Sequence, residues 1–387
     1  YRNGRLYYGS QEDGLWISDN MGDNWIKTTF PEKSCAFVFA HPENDILIIS
    51  CTGESLADGN TRGHTLYVSY DKGVTFEKLD TPLPLNDERC DYNGFVADGI
   101  AHYGNKIYIT FTHSHKNSFG RWNSFACDNG GGFDGRVYVY GIKNSKVSFS
   151  QDITPEWKGF TDENSRRRLP FGMGGIDVYE DNIVVCSVGG RGDGVFVSRN
   201  GGKSYDVIKS TDTDRFVIDV PYQKPEYNGG RIPLHWMSNL RIDPHDHDFA
   251  VFTTGTGPFA LKNITSGKPY ITSLSCGMEE TVHLNIYGIP SGKNKVIDIV
   301  GDLGGFAFRD LDRPCENSFA DKDNHRYITC INADFVPDNP DNFIATARGN
   351  WTGHTKGGVI LTYDGGDSFT HIGYPEGISE KLDELIE

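Results

Sequence analysis

The sequence predicts an all-β fold built from repeated blade-like sheets, a seven-bladed β-propeller, and three observations predict it. Four stretches share one turn pattern, Ser/Thr-x-Asp/Asn-x-Gly-x-x-aromatic: SDNMGDNW at 18, SYDKGVTF at 69, SRNGGKSY at 198 and TYDGGDSF at 362. A second element recurs as strand, Pro/Asp/Asn turn and strand: FAHPENDILII at 39, RIDPHDHDFAVF at 241 and FVPDNPDNFIA at 335. Composition agrees, with 46 Gly, 19 Tyr and 23 Phe against 4 Met in 387 residues. Such usage suits short strands and tight turns and argues against a helical bundle.

Each turn pattern follows a short apolar strand: GLWI, TLYV, GVFV and GVIL. Chaining the two elements gives units of roughly forty to sixty residues with about four strands each, the signature of propeller blades. Seven inner strands are expected near Tyr7, Phe37, Val96, Gly175, Leu240, Leu284 and Ala333, the first unit being short by a strand. The third unit carries a Gly- and Asn-rich insertion over 113–136, placed on a loop face. Residues 1–375 thus read as the propeller. Residues 376–387, ending EKLDELIE, read as a short helical tail or the start of a second domain. The repeated turn resembles the Asp-box, a hairpin whose acid or amide caps backbone N–H groups while its aromatic plugs the sheet. Asp71 and Asp364 supply the acid, whereas Asn20 and Asn200 supply an amide that can accept the same bonds. Coincidental turns in another all-β fold would not recur at four equivalent positions. Asp-boxes occur in sialidases, sortilin-type receptors and several glycosidases, so they define a fold and leave the function open.

A net charge of −16 disfavours nucleic acid and anionic membranes as partners, because both would be repelled. A neutral polysaccharide meets no such objection. Mean hydropathy is −0.47 and no apolar run approaches the ~18 residues a membrane helix requires. None of the eight cysteines forms a C-x-x-C pattern, so neither a metal site nor another cofactor is expected. Cys35 and Cys51 bracket a predicted hairpin centred near Glu43, which suggests a disulfide and an oxidising compartment. Asn263-Ile-Thr and Asn350-Trp-Thr read as glycosylation sequons, in keeping with a secreted, extracellular glycoprotein. Tyr1 opens directly into strand-like sequence, so the chain reads as processed or truncated at its start.

The stretch VIDIVGDLGGFAF, from Val296, places one acid, Asp302, on a glycine-flanked corner between two apolar strands. Two readings stand: an ordinary turn residue, or a catalytic acid held on a tight backbone. GGRIPL at 229 contains the Arg-Ile-Pro of sialidases, but Arg231 follows three boxes instead of preceding the first. The chain's negative charge also opposes an anionic sugar, so Arg231 reads as a surface or loop residue.

From Trp236 the chain runs WMSNLRIDPHDHDFAVFTTGTGPFALKNIT and, after a short interval, GMEETVHLNIYGIPSGKNKVIDIVGDLGGFAFRDLD. In order and spacing this resembles glycoside hydrolase family 74, the xyloglucanases and related endoglucanases. The family pattern there is Ile-Asp-Pro, a Gly-Thr-Gly strand, Gly-Ile-Glu-Glu-Thr, Pro-Pro-Ser-Gly, then Gly-Asp-Ile-Gly-Gly-Phe. The likeness reaches back to LYYGSQEDGLWISDNMGDNW at 6 and forward through NADFVPDNPDNFIA. It implies inverting hydrolysis of β-1,4-glucan, such as xyloglucan, by two aspartates facing each other across a cleft between two propellers. Asp302 matches the general acid. The general base lies in an Asp-x-Gly-Gly-Ala-like motif that does not occur here. Asp13 in EDGLW and Asp193 in GRGDGVF fall at the wrong place in the blade order. The resemblance therefore implies the central part of a longer protein with a second propeller, or a shortened descendant, that hydrolyses poorly alone.

Glucan clefts present aromatic faces for stacking. Trp236, Trp122 and Trp351 lie in predicted loops and are the subsite candidates, with packing beneath an insertion as the alternative. Trp16 and Trp25 read as packing residues. His235 and His283 either orient a carboxylate or are polar loop and strand residues. Glu279 and Glu280 match the family motif but read as structural. The rival reading is a non-catalytic propeller that binds polysaccharide or a protein partner, and a more distant one is a receptor or assembly module.

Overall fold

The computed structural model describes residues 4–10, 13–35, 37–51, 65–83, 95–113, 133–157, 169–188, 193–237, 239–278, 281–313, 315, 318–349 and 357–372. It divides into two compact units, one formed by Tyr1–Ile218 with Gly230–Ser275 and the other by Asp219–Gly229 with Cys276–Glu387.

The first unit is a succession of antiparallel meanders. Strands β1 (Leu6–Gly9), β2 (Leu15–Ser18) and β3 (Ile26–Lys27) form a three-stranded sheet. β4 (Phe37–Ala40), β5 (Leu47–Cys51), β6 (Thr65–Ser69) and β7 (Glu77–Lys78) form the next. A third comprises β8 (Phe95–Tyr103), β9 (Lys106–His113), β10 (Phe133–Lys143) and β11 (Lys146–Asp152). A fourth comprises β12 (Gly172–Tyr179), β13 (Asn182–Val188), β14 (Gly194–Ser198) and β15 (Asp206–Lys209). In the fifth, β16 (Phe216–Val217) lies parallel to β20 (Tyr270–Ser273), outside β17 (Leu240–Ile242), β18 (Phe249–Thr254) and β19 (Gly257–Lys262). In the second unit β21 (His283–Gly288), β22 (Val296–Val300) and β23 (Gly304–Phe308) adjoin β24 (Thr329–Val336), β25 (Asn339–Arg348), β26 (Gly358–Thr362) and β27 (Thr370–His371). One parallel pair, Gly304 with Thr329, joins the two meanders into a seven-stranded sheet.

Each predicted inner strand opens a meander: Tyr7 in β1, Phe37 in β4, Val96 in β8, Gly175 in β12, Leu240 in β17, Leu284 in β21 and Ala333 in β24. The architecture is all-β and of β-propeller type. Apolar layers fill the spaces between sequence-adjacent sheets. Ile48, Leu66 and Val68 meet Ile107, Ile109, Phe111 and Tyr140. Tyr108, Val137 and Val139 meet Met173, Ile176 and Phe196. Val184, Val195 and Val197 meet Leu240, Phe252 and Phe259. A sheet covered on both faces needs apolar residues at every position, which is why β14, Gly-Val-Phe-Val-Ser, is buried throughout.

All four boxes form. In each, the Ser or Thr oxygen accepts the N–H of the glycine four residues on: Gly22 from Ser18 at 2.8 Å, Gly73 from Ser69 at 2.8 Å, Gly202 from Ser198 at 2.9 Å and Gly366 from Thr362 at 3.0 Å. The aromatics diverge. Phe369 is buried against Phe319, and Tyr205 donates its hydroxyl to the Ile153 carbonyl at 2.9 Å. Trp25, expected as a packing residue, stays exposed and makes an edge contact with Tyr8. Trp16 is partly buried and donates its indole N–H to the Asp13 carbonyl at 3.2 Å.

The expected disulfide does not form: Cys35 and Cys51 are both buried in one apolar cluster without an S–S bond between them. The register explains it. Phe37 pairs with Ser50, one position out of the register that would set Cys35 opposite Cys51. The Cys35 N–H instead donates to the Ser10 carbonyl at 2.8 Å, outside the hairpin. Of the Gly- and Asn-rich insertion, 114–132 lies outside the described residues, while Phe133–Arg136 already belongs to β10. The 376–387 tail also lies outside them.

Candidate active site

The corner at Asp302 joins β22 to β23, whose ladder closes at Val300 and Gly304. Asp302 has φ 60°, a left-handed conformation that disfavours most L residues and admits Asp more readily. Three backbone donors fix it: Gly301 N–H to Val282 O at 2.8 Å, Leu303 N–H to Gly301 O at 2.8 Å, and Asp302 N–H to Thr329 Oγ1 at 2.9 Å. The side chain is exposed, and its carboxylate accepts no hydrogen bond from a described residue. The corner is therefore held by its backbone and leaves the carboxyl outward.

The flanking glycines answer to crowding behind the corner. A Cβ on Gly304 would lie 2.7 Å from the Tyr327 carbonyl oxygen, and one on Gly305 would lie 2.5 Å from the Phe319 ring. Both glycines are thus required by packing against the protein.

Beside this corner lies a hydrogen-bonded series that sequence reasoning recognised only in part. His283 Nδ1 is 2.9 Å from Asp298 Oδ1, and His283 Nε2 is 2.6 Å from Thr281 Oγ1. Of the two histidines considered, His283 is thus bonded to a carboxylate. His235 sits in a loop, with Nδ1 3.3 Å from the Pro233 carbonyl oxygen.

In the first unit Trp236 is 48% exposed and has φ 56°, so its loop presents a ring that burial would otherwise claim. The buried neighbours Leu234 and Met237 anchor the loop, and the His235 ring meets the indole edge-on at 5.0 Å. Arg231 is an exposed loop residue. Asn263 stands in a turn, donating Nδ2–H to the Lys268 carbonyl at 3.3 Å. Trp122, Trp351, Asn350, Glu279 and Glu280 lie outside the described residues.

The other corner acids are differently used. Asp13 pairs with Lys27 at the surface. Asp193 is buried, accepts the Ser187 hydroxyl at 3.1 Å, and is pushed by burial up to about 7. Asp98, which the sequence reading passed over, stands at a bulge of β8 with Oδ2 buried and unbonded; burial pushes it up to about 7. Its only sequence signal is a charge within the otherwise apolar strand FVADGIAHY. Asp321, Asp323 and His325 converge closely enough for a metal, but the Asp321 carboxylate already accepts the N–H groups of Asp323 and His325 at 2.9 and 2.8 Å.

No family model matches the chain. It is 30% identical to a xyloglucanase of Paenibacillus sp. over a 408-residue alignment, covering 94% of this chain and 36% of the relative. It is 23% identical to an oligoxyloglucan-reducing end-specific xyloglucanase of Emericella nidulans, covering 81% of this chain and 43% of the relative. The crystal structure of the GH74 xyloglucanase from Xanthomonas campestris superposes with a TM-score of 0.70 at 20% identity, over 96% of this chain and 51% of that one. A GH74 enzyme from Niastella koreensis gives 0.66 at 19% identity, over 97% and 49%. The chain spans less than half the length of the curated relatives it matches. Meanders with recurrent capped hairpins define the class, an Asp-box β-propeller. Within that class the chain is similar to xyloglucanases in sequence and to solved structures of glycoside hydrolase family 74 in fold.

Proposed function

We propose that this chain is part of a secreted xyloglucan-degrading glycoside hydrolase that cleaves the β-1,4-glucan backbone with inversion, using Asp302 as general acid. The observation that carries the reading is the outward, unbonded carboxylate on a backbone-fixed corner. Its setting is a chain whose curated relatives are named xyloglucanases. A general acid must meet the leaving glycosidic oxygen at hydrogen-bond distance, and a corner fixed by three backbone donors fits that demand. Bound glucan would strip water from the exposed carboxyl. The opposing base, roughly 6.5–9.5 Å away across the bound sugar, activates the attacking water. In the reading carried over from the family, that base and the second propeller belong to the same polypeptide. Trp236 supplies a flat face on which a pyranose ring can stack.

The test is xyloglucan hydrolysis by the complete natural polypeptide and its Asp302→Asn variant. Loss of a general acid is expected to lower kcat by about 10²-fold or more while substrate binding persists. Undiminished hydrolysis by the variant would remove Asp302 from the mechanism. Glucan binding without turnover in the wild type would favour a non-catalytic polysaccharide-binding propeller.

A further inference from the structure

We propose that Thr281 and His283, backed by Asp298, form a subsite that receives a hydroxyl of a neutral glucan beside the Asp302 corner. The inference deepens the hydrolase reading and rests on it. Its first support is an asymmetry of exposure. The Asp298 side chain is only 10% exposed, whereas that of His283 is 49% exposed. Burying a carboxylate is unfavourable without a partner, and the described partner of this one is a half-solvated imidazole. An ion pair with one member in water adds little stability. The arrangement does, however, orient a ring and, through it, a hydroxyl.

Position is the second support. Val282 O receives the Gly301 N–H and His283 pairs with Val300, so the series borders the strand end that leads into the Asp302 corner. Chemistry is the third. In the tautomer that donates Nδ1–H to Asp298, Nε2 can accept the Thr281 O–H. The lone pairs of the threonine oxygen then face outward to accept from a sugar hydroxyl. The series holds the Asp298 carboxylate and no Lys or Arg, so a neutral polyol fits where an anionic sugar would be repelled.

The test measures binding of a xyloglucan oligosaccharide to the complete natural polypeptide by calorimetry, with melting temperatures as a fold control. Thr281→Val is expected to weaken binding about five- to tenfold, the worth of one hydrogen bond, and Thr281→Ser to restore it. Asp298→Ala should give a similar loss that does not add to that of Thr281→Val, because Asp298 acts through Thr281. Nitrogen-15 NMR of His283 should show the Nδ1–H tautomer in the wild type and a mixture in Asp298→Ala. Wild-type binding unaffected by Thr281→Val would overturn the subsite and leave the hydrolase reading standing. A loss that serine does not restore, with a fall in melting temperature, would reduce the series to a structural role. No glucan binding by the complete wild-type polypeptide would overturn both.

Discussion

At Asp302 one backbone angle separates two uses of an acid. Had its carboxylate turned inward to cap the corner, as Asp71 and Asp364 do in their boxes, it would be bound up in the turn. Instead its own N–H is anchored by Thr329 and the carboxyl is left free of described partners. Thr329→Val should therefore speed hydrogen exchange at the Asp302 amide by about tenfold or more, a change NMR would detect. Gly305→Ala should destabilise the second unit by about 1–3 kcal/mol in thermal or urea unfolding, since the new methyl meets the Phe319 ring. The corner was legible in GDLGG because turn chemistry is local. The tie between His283 and Asp298 was not, because a bulge in the β21–β22 pairing decides which side chains meet across it. Trp236 could be picked out as a loop aromatic, but its positive φ could not.

Among elements, the boxes behave as small capping devices. Asp364 Oδ1 is 2.7 Å from the Thr362 hydroxyl oxygen and 3.1 Å from the Ser368 nitrogen, while Oδ2 is 2.7 Å from the Ser368 hydroxyl. Asp364→Ala should cost about 1–3 kcal/mol, and Asp364→Asn less, as measured by denaturant unfolding. Nature has made the latter exchange at Asn200, whose oxygen accepts the Ser204 N–H at 3.0 Å and whose amide donates to the Ser204 hydroxyl at 2.8 Å. Burial pushes the Asp71 carboxyl up, but bonds from Thr75 and Ser69 outweigh it and hold the group at about 2. A depressed value means stability present above the unfolded value near 4 and lost as pH falls through about 2. Box positions were readable because eight consecutive residues contain the whole device. The hairpin of β4 and β5 was readable only to within one residue, and that one residue decided the fate of Cys35 and Cys51.

For the molecule as a whole, the order of sheets within the first unit was legible because sequence-adjacent sheets pack on one another there, so local pattern and tertiary neighbourhood coincide. Buried charge was not, since it depends on what covers a side chain from another sheet. Asp98 and Asp193 are the consequence. Both are raised by burial to about 7, above an unfolded value near 4, so the folded chain holds protons the unfolded chain has released. Their stabilising contribution is full below pH ~4 and is lost as pH rises through about 7. Melting temperature should accordingly fall between those limits, and Asp98→Asn should flatten the fall, giving its largest relative gain above pH 7 in calorimetric scans.

The single rung between Gly304 and Thr329 makes the proposed acid a dependant of the following meander. Thr329 both completes that rung and grips the nitrogen of Asp302 from 27 positions downstream. A load applied to β24, from whatever source, is thus transmitted straight to the aspartate's seat.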